Sequence, residues 1–251
     1  MQVDFLPRVK RIVIRDIPIN YYINTEILES YTTQLESKEP DTLDWIDNFE
    51  NESIFYDVGA STGPFTLYCA LKSHAKVFCF EPEAQNYSVL EMNHYLNRKN
   101  IMHGITSFMI AIGETSSLLP LYIKRYGAGW AMKIVNKSVR RLETESFEPD
   151  HIQQVIVESL DDLIEKYDLP FPNYLKIDAD ESEYEIIKGS KKTLRSPTLK
   201  SVLIELIDDD ERTKKILEIM KENRFVIRSK QQVEDYAHLY NYIFFRENNI
   251  D

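Results

Sequence analysis

Ile54–Phe65 reads IFYDVGASTGPF. An apolar run reaches a carboxylate at Asp57, the side chains shrink through Gly59, Ala60 and Ser61, and the run breaks at Gly63-Pro64. This is the pattern of a buried strand turning sharply into a helix. Pro64 stands in the first helical turn, where a missing N–H costs least. Gly59 supplies backbone torsions that larger residues resist. The N–H groups of such a loop favour an anionic group, whereas Asp57 suits a cationic or hydrogen-bond-donating one. A ligand bearing both a carboxylate and an ammonium would satisfy both features.

Outward from this stretch, strand-like and helix-like segments alternate from Ser53 onward. PFTLYCALKSH reads as a helix, KVFCFEP as a second strand, Glu83–Asn97 as a helix and ITSFMIAIG as a third strand. After an interruption come the strand NYLKIDA, a helix over Glu181–Leu194, the strand SVLIELI and a helix over Glu211–Asn223. FVIRS and YNYIFFR close the chain as an expected antiparallel pair. Such alternation predicts an α/β fold with a mostly parallel sheet covered on both faces, and ligands beyond the carboxyl ends of its strands. Asp57, Glu81, Ala111, Asp178 and Glu205 all fall at or near such ends. Two regions depart from the alternation. Residues 1–52 read as a strand pair (RIVIRDIPINYYI) and two helices, an N-terminal cap on a domain spanning 53–251. Residues 114–154 form an insertion containing LLPLYI and YGAGWAMK, read either as part of a substrate pocket or a mobile lid, or as an ordinary surface excursion.

Composition narrows the function classes. The chain has 251 residues, a formal net charge of -11, 43% hydrophobic and 12% aromatic residues, which excludes a disordered chain and argues against nonspecific nucleic-acid binding. Lys133, Lys137, Arg140 and Arg141 form a local basic cluster, read as a solvated face. Cys69 and Cys79 fall in apolar patterns and make no disulfide framework. No apolar run approaches a membrane span, and MQVDFLPRVKR lacks the apolar segment of a signal peptide, so a cytoplasmic location is expected. Oligomeric state is not legible.

The second motif is FCFEPEAQN. Glu81 follows Gly59 by roughly twenty residues, the spacing at which an acid ending the second strand reaches ribose hydroxyls. Two cofactors fit a strand-end acid of this kind, a nicotinamide dinucleotide and S-adenosylmethionine. The dinucleotide fingerprint places its second glycine where this chain has Ser61, which weakens the pyrophosphate reading. The amino-acid tail of S-adenosylmethionine carries the carboxylate and ammonium anticipated above.

In order, DVGASTG, FEPEAQNYSVLEMNHYLN, AIG, LKIDADESEYEIIKGS and VLIEL resemble the FkbM-type methyltransferases over roughly Ile54 to Leu206. The resemblance implies a Rossmann-like class I methyltransferase sheet whose last strand is antiparallel, with S-adenosylmethionine as cofactor. It further implies methyl transfer to a hydroxyl of a sugar, glycan or other small-molecule natural product. By that resemblance Asp57, Gly59, Ala60, Ser61 and Gly63 hold the methionine portion. Glu81 takes the ribose, Pro82 and Asn86 shape its turn, Ala111 and Ile112 lie near the adenine, and Asp178 faces the reaction centre. The family usually reads K-I-D-V-E-G-x-E where Lys176–Glu183 reads KIDADESE, so Asp180 and Glu181 depart from the pattern.

In-line methyl displacement needs alignment and a base within reach of the acceptor hydroxyl. Asp178 and Glu205, at neighbouring strand ends, are the candidate catalytic residues. Asp178, Asp180 and Glu181 together offer carboxylates to Mg²⁺, but a charged helix start explains them as well, and no residue is assigned to a metal. None of the five histidines stands in metal-ligand spacing with another. His238 could approach a substrate, and Trp130 could stack on a sugar ring or fill core space. A cofactor-binding module without catalysis, and less favourably an NAD-dependent oxidoreductase, are the alternatives.

Overall fold

The computed structural model describes residues 6–137, 139–140, 145–234 and 236–247. The chain opens on an antiparallel hairpin of β1 (Arg8–Ile14) and β2 (Ile17–Ile23). Its two-residue turn holds Arg15 at φ 45° and Asp16 at φ 69°, left-handed torsions reached here without a glycine. The Arg15 guanidinium compensates by pairing with Asp44 at 2.6 Å and Asp47 at 2.9 Å. Two helices follow, α1 (Glu26–Lys38), capped by the Thr25 hydroxyl, and α2 (Pro40–Asp47).

Then the main sheet begins, with β3 (Ile54–Val58), α3 (Pro64–Lys72), β4 (Lys76–Phe80), α4 (Ala84–Asn97) and β5 (Ile105–Phe108). The chain leaves it for β6 (Ala111–Gly113), β7 (Ser117–Ile123), β8 (Lys133–Val135), the short pair β9 (Val139–Arg140) and β10 (Glu145–Ser146), and β11 (His151–Ser159). It returns through α5 (Leu160–Tyr167), β12 (Tyr174–Ile177), α6 (Glu183–Lys188), α7 (Lys191–Arg195), β13 (Ser201–Ile207), α8 (Glu211–Glu222), β14 (Phe225–Gln232) and β15 (Leu239–Arg246).

The main sheet runs β14-β15-β13-β12-β3-β4-β5, and only β15 opposes the common strand direction. This is the expected α/β architecture with an antiparallel last strand. Alternate side chains of each strand serve opposite faces. Phe55, Val77 and Cys79 pack against the hairpin, α1, α2 and α3. Tyr56, Val58, Phe78 and Phe80 pack against α5 to α8. The N-terminal elements thus share a core with β3 and β4. Asn97 on α4 accepts from the Asn20 N–H and donates to the Asn20 carbonyl, and Asn93 accepts from the Tyr22 N–H. Those amides satisfy the backbone edge of β2 as a neighbouring strand would.

Four expectations are corrected. ITSFMIAIG is not one strand: β5 stays in the main sheet while β6 pairs parallel with β11 in a second sheet ordered β6-β11-β7-β8. From Phe108 to Ile112 the run is continuously apolar, so the pattern carries no sign of the break between the two strands. The helix over Glu181–Leu194 is two helices, interrupted at Gly189-Ser190. A Cβ on Gly189 would stand 2.1 Å from the Gly113 carbonyl oxygen, so this point is pressed against β6. The insertion contributes a sheet rather than a lone hairpin strand, with the nine-residue β11 as its longest member. The interruption before β12 holds α5, an amphipathic helix capped by Ser159.

Candidate active site

A cavity of about 480 Å³ opens beyond the carboxyl ends of β3, β4, β12 and β13, astride the β3–β12 pair where strand order reverses. Its volume suits a drug-sized or nucleoside-sized ligand. The β3–α3 loop forms one edge. Gly59 sits at φ 80°, and a Cβ there would lie 1.7 Å from the Asp178 carbonyl oxygen, so the end of β12 requires a glycine at this position. Gly59 and Ala60 both donate to the Phe80 carbonyl, Gly63 donates to Ala60, and Ser61 donates to the Glu81 carboxylate at 2.8 Å. The Ser61 N–H thus meets an anion of the same chain, Glu81, while Gly59, Ala60 and Gly63 donate to backbone carbonyls.

Gly59 and Ser61 reach the cavity wall, as do Glu81, Pro82, Asn86, Ala111, Ile112, Asp178 and Glu205. Asp57, Ala60 and Gly63 are not among the lining residues. Asp57 is 1% exposed and accepts from the Thr66 hydroxyl at 2.6 Å, while its Oδ1 has no hydrogen-bond partner among the described residues. Burial raises its proton affinity, and Lys176 on the adjacent strand opposes the rise. Its place is beneath the loop, because the side chain of a strand-end residue follows the pleat into the core. The expected meeting of Asp57 with a ligand ammonium is thus not a direct wall contact.

Glu81 is 5% exposed, and each carboxylate oxygen accepts one backbone N–H, from Ser61 at 2.8 Å and from Glu83 at 2.9 Å. A carboxylate oxygen can accept again, so both retain capacity toward the cavity. Burial pushes its pKa up to about 7 against the opposing pull of Lys133. Glu83 caps α4 and forms a buried ion pair with Lys133 at 2.8 Å. Lys133 is consequently no part of a solvated basic face. Arg141, from the same cluster, lies outside the described residues.

The insertion closes the cavity from above. Asp180 accepts from the Met132 and Lys133 N–H groups at 3.2 and 3.0 Å, Asn86 accepts from Gly129, and the Thr25 hydroxyl donates to the Ala128 carbonyl. Residues 127–133 are thereby tied to β12, α4 and α1. Of the two readings of the insertion, this segment is pocket wall. The KIDADESE turn now has a physical account. Asp180 at φ 46° and Glu181 at φ 73° are left-handed, and Glu183 stabilises the turn by accepting from the Ala179 and Glu181 N–H groups at 3.1 Å each. Trp130 stands on the wall with the Arg125 guanidinium 4.1 Å from its ring.

The far end is acidic. Asp178 accepts from Lys176 at 2.8 Å. Glu205, one strand over, has its proton affinity raised well above the ordinary range by burial, then by Asp178, Glu39 and Glu183. Glu39, at the α1–α2 junction, is shifted the same way by burial and by Asp178. Tyr31 on α1 faces the same three acids. His238 is not among the lining residues, and its carbonyl accepts from Asp208. Among the described residues no group of three or more metal-ligating side chains is placed to hold an ion. Sequence reasoning missed Tyr31, Glu39 and the burial of Lys133. Only Lys133 left a trace, as a lone cation in the apolar stretch WAMKIV.

A family model described as the methyltransferase FkbM domain matches residues 57–227. The chain belongs to the FkbM methyltransferase family. This methyltransferase is 25% identical over 196 residues to the hexuronic acid methyltransferase AglP of Haloferax volcanii, covering 74% of each chain. In fold it resembles the methyltransferase FkbM from Methylobacillus flagellatus KT with a TM-score of 0.54 and 16% identity, covering 79% of this chain. It spans 44% of that longer solved chain. The P. horikoshii TYW2, solved in complex with MeSAdo, is similar with a TM-score of 0.50 and 12% identity over 97% of this chain and 73% of that one. No helix among the described residues is long and apolar enough to cross a membrane.

Proposed function

We propose that this FkbM methyltransferase moves the methyl group of S-adenosylmethionine onto a hydroxyl of a sugar, glycan or related small molecule. The observation that carries the reading is Glu81, hung on two backbone N–H groups at the mouth of β4 inside an acid-rich cavity. Its remaining acceptor capacity suits vicinal ribose hydroxyls. Ala111, Ile112 and Phe80 offer an apolar slot beside it for the base, and Gly59, Ser61 and Asp178 border the space left for the amino-acid tail. The charge of the wall separates the two cofactors. Glu81 and Asp178, which border the cofactor space, favour a sulfonium and an ammonium, and they repel the pyrophosphate of a dinucleotide. When bound, the sulfonium supplies an electrophilic methyl group.

The chain's own groups then position the acceptor. Lys176 occupies Oδ2 of Asp178, which leaves Oδ1 to take a hydrogen bond from the acceptor hydroxyl. Burial and the neighbouring acids make Glu205 hold its proton tightly at rest, so activation of the hydroxyl is favoured as rising pH removes that proton. A glycan-type acceptor is supported by the likeness to a protein named as a hexuronic acid methyltransferase. The test pairs calorimetry with turnover. S-adenosylhomocysteine should bind and NAD should not, and labelled methyl should pass from S-adenosylmethionine to a glycoside panel. Binding of NAD alone overturns the cofactor, and tight S-adenosylhomocysteine binding without transfer to any acceptor overturns the reaction.

A further inference from the structure

We infer that Tyr31 and Glu39, with Glu205, form the wall that selects the acceptor, and that this wall takes an acceptor presenting hydrogen-bond donors and no negative charge. The inference rests on the methyl-transfer reading above. Tyr31 and Glu39 precede the span 57–227 matched by the family model, yet both line the cavity. They stand on the N-terminal segment, outside the span that the family model matches.

Each presents an unused polar group. Thr42 and Asn241 both donate to Oε2 of Glu39, at 2.9 and 2.8 Å, and fix the carboxylate with Oε1 left over. Among the described residues, neither the Tyr31 hydroxyl nor the Glu205 carboxylate has a hydrogen-bond partner. A wall built this way is richer in acceptor oxygens than in donors, the Tyr31 O–H and a protonated Glu205 being its own donors, and its remaining oxygens ask for hydrogens from a ligand. Among the described residues the cations around it are already engaged, Lys176 with Asp178, Arg212 with Glu185 and Lys133 with Glu83, and Lys38, which also lines the cavity, has a partner of its own. Crowding adds to burial in the acids themselves: burial first, then Asp178 and Glu39, raise the proton affinity of Glu205. A carboxylate on the acceptor would join that crowd without a free cation to meet it, and repulsion between like charges grows as water is excluded. Hydroxyl or ammonium hydrogens instead match Oε1 of Glu39, the Glu205 carboxylate and the Tyr31 oxygen. The wall thus argues against carrying over the uronic acid named for the Haloferax volcanii relative.

The experiment measures S-adenosylhomocysteine release from S-adenosylmethionine with methyl glycosides of a hexose, the corresponding amino sugar and the corresponding hexuronic acid. The hexose or the amino sugar should exceed the uronic acid in kcat/KM by at least about tenfold. In Glu39→Gln, whose amide oxygen still accepts from Thr42 and Asn241, the discrimination should shrink at least about threefold. S-adenosylhomocysteine affinity of Glu39→Gln and Tyr31→Phe should stay within about twofold of the parent, since both residues are assigned to the acceptor. Equal or better use of the uronic acid overturns the inference. So does a large loss of S-adenosylhomocysteine affinity in these variants, whereas transfer to no panel member by an enzyme that binds S-adenosylhomocysteine removes the methyl-transfer reading itself. Failure of the unaltered protein to bind S-adenosylhomocysteine would instead remove the reading on which the inference rests.

Discussion

If Glu81 grips ribose as a carboxylate, cofactor affinity must follow its titration. Burial places its pKa at about 7 in the free protein. At about pH 6 some nine-tenths of the sites then carry a proton, and at about pH 8 about one-tenth do. A ligand that needs both oxygens as acceptors must expel that proton first. S-adenosylhomocysteine should therefore bind about tenfold more weakly at about pH 6 than at about pH 8, a difference of about 1.4 kcal/mol. Close to one proton should be released on binding at the lower pH, read by calorimetry in buffers of different ionisation enthalpy. Stability of the free protein responds with the opposite sign. Between the ordinary carboxylate range and about pH 7 the folded state keeps a proton that the unfolded chain has lost, so stability falls as pH rises, by about 3 kcal/mol in all. In Glu81→Gln the part of the pH dependence due to this residue should vanish and affinity should be low throughout. An affinity that is flat with pH in the parent, or an undiminished slope in the variant, refutes the argument.

Other outcomes follow from the same geometry. Gly59→Ala forces a Cβ to 1.7 Å from the Asp178 carbonyl oxygen at a left-handed backbone position, so stability should fall by about 2 kcal/mol or more in thermal unfolding. Lys133→Met leaves Glu83 buried and uncompensated, and denaturant unfolding should register about 3–5 kcal/mol, recovered in part by adding Glu83→Gln. Glu205→Gln should lower turnover at least about tenfold while sparing S-adenosylhomocysteine affinity, because the residue lies at the acceptor end of the cavity. Since folding raises the proton affinity of Glu205, the variant's stability relative to the parent should improve as pH rises above the ordinary carboxylate range, checked by melting across pH.

What the sequence determined by itself was local and periodic. IFYDVGASTGPF and FCFEPEAQN each hold a strand, its turn and its helix start within a dozen residues, so the alternation, the sheet class and the acid at Glu81 were all legible there. Asp178 and Glu205 could be placed at strand ends for the same reason. Depth was not legible. Strand pattern alone does not say that the pleat sends Asp57 inward, or that the glycine-bearing loop turns its Ser61 N–H onto Glu81 of its own chain. Contacts between distant segments left still less trace. Glu39 meets Asn241 across 202 positions and Lys133 meets Glu83 across 50. The acceptor wall exists only because folding packs the N-terminal helices against the ends of β12 and β13. A carboxylate's role there depends on which other charges share its space, and that is decided by three-dimensional neighbours rather than by chain neighbours.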